Sequence, residues 1–392
     1  MSKLLQNKKL VFVLLILSLA GFVTSFGAHI IAVNLPTYAT ATGTGLFGIG
    51  VLIAVYDLAE VIAKPVFGFI ADRKGMKLTL LAGLAVFSFS SLLYLVIDPS
   101  LLIVVRLLQG MGAAAFSVAS MSLVAEYFKD NIEGPMGVYN AIKGLGYVIS
   151  PVIGGGIVLY SGFSYLFIAC FIVGIAAIVA ALFISKDVRK EFDDDDDLKE
   201  LLTSFKDAKL LPWYLVTTVN MMFMGIVFGF LPVFLNVSGF DPLRSGAVMA
   251  AVALAFLLIQ PLTGTISRLL GFRRAIYAGL IAEAALLIVL PFTTGWLTVG
   301  IAVLDAAGIG VVWTLSTVAV AKAANPGSIG LALGNLGSFK EIGDMAGPLL
   351  IGLVSQLVSL RAGFVLCGLL GFIVLLPLVL PAMAGKATVL TR

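Results

Sequence analysis

Hydrophobic residues run along this chain in long blocks broken by short polar turns, instead of recurring at the three- and four-residue spacing of a helix with one wet face. The blocks fall near 10–34, 46–71, 78–97, 100–125, 137–160, 163–185, 212–236, 245–268, 275–293, 296–321, 330–357 and 361–382. Each is about as long as the roughly 20 residues a helix needs to cross a bilayer. The pattern therefore predicts twelve membrane-spanning helices. Short turns between most of them predict antiparallel neighbours, and one long polar connection divides six spans from six. The expected fold is an all-α integral membrane protein with a first six-helix bundle at 1–185, a cytoplasmic central linker at 186–211 and a second six-helix bundle at 212–392.

Composition narrows the class further. Of 392 residues, 60% are hydrophobic and 12% charged, about half the usual charged share, so a soluble fold could not hide the apolar surface. Cys170 and Cys367 lie in apolar runs far apart in sequence, which predicts buried thiols and no disulfide framework. The first apolar run follows Lys3, Lys8 and Lys9 and continues to about Asn34 without a small-x-small cleavage pattern, so it is expected to be a retained helix.

The net charge of +4 matters less than its placement. With both termini inside, basic residues collect on one side: at the N-terminus, around Arg73, at Lys129, in the linker, around Arg273, at Lys322 and at the C-terminus. Arg244 and Arg361 fall on the other. That asymmetry predicts cytoplasmic termini in a multi-pass protein of the cell membrane. The linker carries the acidic run FDDDDDL and then an amphipathic stretch expected to lie along the cytoplasmic interface; both read as solvated or interfacial segments without chemistry of their own.

The halves repeat. A shift of 196 carries Pro36 to Pro232, Gly50 to Gly246, Gly68 to Gly264, Gly75 to Gly271 and Gly112 to Gly308; a shift of 197 carries Pro151 to Pro348. Six helices repeated in the same membrane orientation imply two bundles related by an axis along the membrane normal, the plan of an alternating-access transporter.

Charges inside the spans mark where chemistry sits. Asp57, Glu60 and Lys64 recur at i, i+3 and i+7 and so share one helix face, which must look at protein or water because lipid penalises each charge. Helix 11 holds Lys340, Glu341 and Asp344 near its middle. Paired, such charges are tolerated in low dielectric; unpaired, a carboxylate becomes a proton carrier near neutral pH. Both a proton switch and a static network holding the halves in register fit these residues.

A resemblance to a known family enters with the stretch GFIADRKGMK, comprising Gly68, Asp72, Arg73, Gly75 and Lys77, between helices 2 and 3. It resembles the signature loop of the major facilitator superfamily. Physically, Gly68 permits close helix approach, Asp72 can accept hydrogen bonds, and Gly75 permits a tight turn. The resemblance implies a latch stabilising an outward-facing state; the second-half loop, GTISRLLGFRR, has Arg268 where Asp72 would stand. Helix 4 reads LIVVRLLQGMGAA, and the family's arginine there implies a proton-coupling role for Arg106. Helix 5 reads GYVISPVIGG and is similar to the antiporter motif of the drug:proton branch, with Gly146, Pro151, Gly154 and Gly155 in place and Ser150 at a glycine position. The family plan also implies that helices 2 and 11 face one another across a central cavity. On that expectation Asp57 or Glu60 exchanges protons with Asp344 and Glu341 as partners, while Lys64 and Lys340 make interbundle ion pairs.

For the substrate path the sequence offers His29, Asn34, Tyr56, Met222, Asp305 and Trp313, polar or adaptable side chains within the spans. A Gly-Lys-Ser/Thr phosphate loop, metal-ligand spacing of Cys and His, a nucleophile–base pair and a basic domain are all missing from the sequence, so we expect no cofactor, metal, nucleotide, enzymatic chemistry or nucleic acid. The expected partners are a small-molecule substrate, protons and the lipid bilayer, with the protein a monomer. The expected function is proton-coupled antiport of small amphipathic or hydrophobic compounds; transport of a specific polar or charged metabolite, bound by the helix 2 and helix 11 charges, is the alternative.

Overall fold

A computed structural model describes residues 8–128, 133–184, 209–324 and 329–383. Every regular element among them is helical: α1 (Lys8–Ala41), α2 (Leu46–Lys74), α3 (Met76–Leu93), α4 (Leu102–Tyr127), α5 (Glu133–Ser161), α6 (Phe163–Leu182), α7 (Leu211–Val237), α8 (Pro242–Ile259), α9 (Phe272–Val289), α10 (Gly295–Ala323), α11 (Ile329–Leu357) and α12 (Leu360–Met383). A 3-10 turn at Gln260–Leu262 carries α8 on into a further helical segment, Thr263–Leu270. The twelve expected spans are thus all present as helices. Lys3, Lys129, most of the linker with its acidic run, and the basic residues of the C-terminus lie outside the described residues.

Among the described residues, ten helices are long and apolar enough to cross a membrane by length and composition. The 29-residue α11 is not among them, because Lys340, Glu341 and Asp344 interrupt its apolar run. Many large apolar side chains stay exposed along the spans, among them Phe12, Ile62, Phe89, Ile172, Leu258 and Leu304. In water such a surface would aggregate, whereas lipid accommodates it.

Matching turns bear out the internal duplication. Gly43 and Gly239, 196 apart, end α1 and α7 with φ of 85° and 87°, and the same six-residue cap closes each helix: Thr44 N–H donates to Ala39 O at 2.8 Å, and Phe240 N–H to Leu235 O at 3.0 Å. Only glycine adopts that left-handed conformation without strain. Gly75 and Gly271 form a second matched pair, with φ of 117° and 86°, where α3 and α9 begin. The repeat extends to packing. A Cβ on Gly146 of α5 would stand 2.8 Å from Phe26 N and 2.9 Å from Phe22 O of α1. Gly343 of α11, 197 residues on, meets Thr218 and Met222 of α7 in the same way.

The helices pack as two compact units. The first comprises Met1–Thr44, Val55–Phe192 and Leu235–Ala250; the second comprises Gly45–Ala54, Asp193–Phe234 and Ala251–Arg392. This differs from a cut at the central linker, since each unit takes a short piece from the other half of the chain. The cause is glycine. In the second unit Gly50 of α2 lies against the Pro348 carbonyl, and a Cβ there would stand 3.5 Å from the Gly352 α-carbon. In the first, Gly246 of α8 lies against the Pro151 carbonyl, and Gly155 against that of Pro242. Backbones this close carry the short pieces with the helix they touch.

Candidate functional site

Among the described residues Arg106 is the most deeply placed cation of the first unit, 2% exposed on α4. Its guanidinium carbon sits 4.3 Å from the centre of the Tyr56 ring on α2. A desolvated cation over an aromatic face is held by about 2 kcal/mol or more. Nη1 lies 3.5 Å from Gln109 Oε1, one turn along; that oxygen also accepts from the Tyr94 hydroxyl at 2.9 Å, and Gln109 Nε2 donates to Ser91 Oγ at 3.2 Å. Ser91 Oγ in turn lies 3.3 Å from Cys170 Sγ and 3.1 Å from Phe87 O. The result is a buried polar chain linking α2, α3, α4 and α6.

Glycine makes the chain geometrically possible. A Cβ on Gly110 would come within 2.7 Å of Ala59 Cβ, and one on Gly112 within 2.7 Å of Phe87 N, so α2 and α3 both press onto this side of α4. The helix 4 motif contained Arg106, Gln109, Gly110 and Gly112 but showed no partner for Gln109. Tyr94 and Ser91 lay outside it, and their polarity alone did not distinguish them from other span residues.

One turn beyond Tyr56, Lys64 Nζ pairs with Glu60 Oε2 at 2.5 Å. In the second unit Lys340 Nζ pairs with Asp344 Oδ2 at 2.6 Å and Glu341 Oε2 at 3.2 Å. Both sets are half-buried, with the carboxylates at 13–17% exposure and the lysines at 31%. Lys64 and Lys340, expected to pair between bundles, thus each have a carboxylate one turn away on their own helix. Asp57 is half-buried on α2.

The α2–α3 junction holds the signature residues. Gly75 supplies the turn, and Arg73 lies 4.2 Å from the Phe69 ring centre. Lys77 Nζ donates to Leu182 O at 2.9 Å and Ile184 O at 2.5 Å at the end of α6, where orphan carbonyls favour a cation. Asp72 is half-buried, and Gly68 faces Val118 across an ordinary contact. On α5, Gly146 and Gly154 pack on α1, where a Cβ on Gly154 would reach 2.6 Å from Asn34 Nδ2; Pro151 and Gly155 pack on α8.

The expected substrate residues are scattered in exposure. His29 is half-buried, bonded to Ser25 O at 2.9 Å with its ring centre 3.9 Å from that of Tyr147. Asn34 is buried and donates to Ile30 O at 2.8 Å; Tyr56 and Met222 are buried, and Trp313 is half-buried. Asp305, expected to line the path, has no exposed surface. It lies one turn before Ile309 on α10, whose carbonyl accepts from Asn220 Nδ2 at 3.3 Å, inside the second unit.

The chain matches the family model described as Major Facilitator Superfamily over residues 17–303 and 245–389. MFS-type transporter SLC18B1 of Mus musculus is 24% identical over 367 residues, 85% of this chain and 78% of that protein. Multidrug resistance protein 2 of Bacillus subtilis (strain 168) is 28% identical over 313 residues, 76% and 77% respectively. Among solved structures, nucleoside transporter NupG (D323A mutant) aligns with a TM-score of 0.80 at 12% identity, covering 94% of this chain and 99% of that one. A bacterial homolog of the human lysosomal transporter Spinster, inward-facing and occupied, also scores 0.80 at 15% identity, covering 95% and 97%.

Proposed function

The chain belongs to the Major Facilitator Superfamily and is a secondary transporter of that kind, not an enzyme, and we propose that it exports small amphipathic or hydrophobic compounds in exchange for protons. The observation carrying this reading is that lysine–carboxylate pairs sit at one-turn spacing in α2 and α11, inside otherwise apolar segments. Such a pair is stable in low dielectric only while both members are charged. Protonating Glu60 or Asp344 releases its lysine and changes the charge on that helix, which couples proton binding to conformation. Asp57, on the same face as Glu60, is the entry carboxylate on α2, with Glu341 its counterpart on α11. Arg106, held over Tyr56, transmits the charge state of α2 to α4.

The glycine-rich face of α5, with Gly146 and Gly155 against neighbouring backbones and Gly154 against the Asn34 and Ile30 side chains, supports the antiport assignment, as do relatives named for multidrug resistance. The substrate residues we assign are His29, Asn34 and Tyr56 in the first unit and Met222 and Trp313 in the second. Gly68, Asp72, Arg73, Gly75 and Lys77 form the cytoplasmic latch of a monomer that works by alternating access, and the basic asymmetry of the chain supports cytoplasmic termini in a cell-membrane protein. A second reading rests on the paired opposite charges themselves: Lys340 with Asp344 presents both signs, which suits a zwitterionic metabolite.

The test is uptake into inverted membrane vesicles energised inside-acid, comparing a panel of lipophilic cations with zwitterionic and anionic metabolites. Accumulation of the lipophilic cations, abolished by collapsing the pH gradient, supports export. Transport confined to a charged metabolite overturns it in favour of the second reading.

A further inference from the structure

Glu283 on α9 and Asp305 on α10 are both fully buried, and so are Asn220 and Thr217 on α7. Asn220 Nδ2 donates to Glu283 Oε2 at 3.1 Å and to Ile309 O at 3.3 Å, one turn along α10 from Asp305, so three helices converge on one point. On these three helices Glu283 Oε1, Asp305 Oδ1 and Oδ2, Asn220 Oδ1 and, one turn before Asn220, Thr217 Oγ1 lack a hydrogen-bond partner among the described residues. Gly308 of α10 packs directly on the glutamate: a Cβ there would lie 3.3 Å from Glu283 Cγ and 3.7 Å from Oε1.

Two enclosed carboxylates cannot both stay ionised without a counter-charge, since burying even one isolated charge costs far more than the stability of a folded domain. The other ionisable groups on the surrounding helices are Tyr214 on α7, Arg244 and Arg268 on α8 and its continuation, Arg273, Arg274 and Tyr277 on α9, Lys322 on α10, Lys340, Glu341 and Asp344 on α11, and Arg361 and Cys367 on α12. None of them hydrogen-bonds to the open oxygens. What the cluster offers is a surplus of acceptors: carboxylate, amide and hydroxyl oxygens. Protons answer that surplus only in part, because two protonated carboxyls supply two donors for five open oxygens. A small hard cation takes several oxygens at once.

We propose that Glu283, Asp305, Asn220 and Thr217 form an enclosed site for a dehydrated monovalent cation of sodium or lithium size. One such ion, with one proton shared between the two carboxyls, balances both negative charges. The site lies wholly within the second unit and is separate from the α2 and α11 pairs, so it adds an ion to the transport cycle without depending on how those pairs work.

The experiment is thermal unfolding of the purified full-length protein in detergent, in sodium, lithium, potassium or choline chloride at equal ionic strength, near neutral and at alkaline pH. Sodium and lithium should raise the unfolding midpoint saturably by several degrees, more at alkaline pH where protons compete less, with potassium and choline without effect. Asp305→Asn and Glu283→Gln should abolish the sodium increment. Retention of radioactive sodium by the wild-type protein, displaced by unlabelled sodium and not by choline, tests the site even if those variants fail to fold. Identical unfolding in all four salts with no retained sodium overturns the proposal, as does a sodium increment that persists in both folded variants.

Discussion

Two glycines at equivalent places in the two halves should respond alike to a single methyl group, and two others nearby should not. Gly146 on α5 and Gly343 on α11 are buried at backbone crossings. A Cβ on Gly146 would approach Phe26 N to 2.8 Å and Phe22 O to 2.9 Å; one on Gly343 would overlap the Thr218 carbonyl and lie 3.0 Å from Met222 N. Main chain cannot swing aside as a side-chain tip can, so the helices must separate, at about 1–3 kcal/mol for such overpacking. Gly137 and Gly334 sit nine residues earlier on the same two helices, exposed, with nothing within 4 Å. There alanine removes the entropic penalty of helical glycine and stabilises by about 0.5–1 kcal/mol.

The two classes should therefore differ by roughly 2–4 kcal/mol. At about 2–4 °C per kcal/mol for a body of this size, the melting midpoints separate by on the order of 5–10 °C. Gly343→Ala should fall furthest. Fluorescence-detected size exclusion after heating reads this directly in detergent. Equal midpoints for Gly343→Ala and Gly334→Ala would refute the claim that α7 and α11 are held at backbone contact.

Arg106→Lys should abolish transport almost as fully as Arg106→Gln while leaving surface expression intact, because an ammonium cannot stack flat over Tyr56 and reach Gln109 at once; wild-type uptake in the lysine variant would show that charge alone suffices. Lys77→Met strips the cation from the Leu182 and Ile184 carbonyls and should lower stability by about 1 kcal/mol, read as a fall in the melting midpoint that high salt reproduces in the wild type. Outside the membrane, Asp98 accepts hydrogen bonds from the Ser100 hydroxyl and backbone N–H, which hold its carboxyl below the usual aspartate range. A depressed pKa stabilises above the unfolded-state value and loses that contribution as pH falls through the folded one, so Asp98→Ala should lower the midpoint at neutral pH and match the wild type once the medium is acidified past both.

The twelve helices were legible because a span through lipid must be apolar along its whole length, and α11 could be recognised as special from the three charges that break its run. Gly75 and Gly271 were legible as turns, since only glycine fits their φ. Partnerships across helices were not. Gln109 joins Tyr94 and Ser91 only through the crossing of α3 and α4, and no periodicity within one helix records it. Asp305 read as a residue of the substrate path because a mid-span acid must face water or protein; that rule cannot say which, and the side chain has no exposed surface, on a stretch of α10 that Asn220 joins to Glu283. The exchange of short pieces between units likewise follows from glycine–proline contacts between residues roughly 100 to 300 positions apart, a separation at which local pattern carries no information.

Proton movement on addition of substrate bears most directly on the central claim. In proteoliposomes loaded with a pH-sensitive dye and energised inside-acid, a transported lipophilic cation should enter as protons leave, in fixed ratio, and Asp57→Asn should lose both fluxes together while still reconstituting. Substrate entry without proton release, or undiminished uphill transport in Asp57→Asn, would contradict the assignment of coupling to the charges of α2.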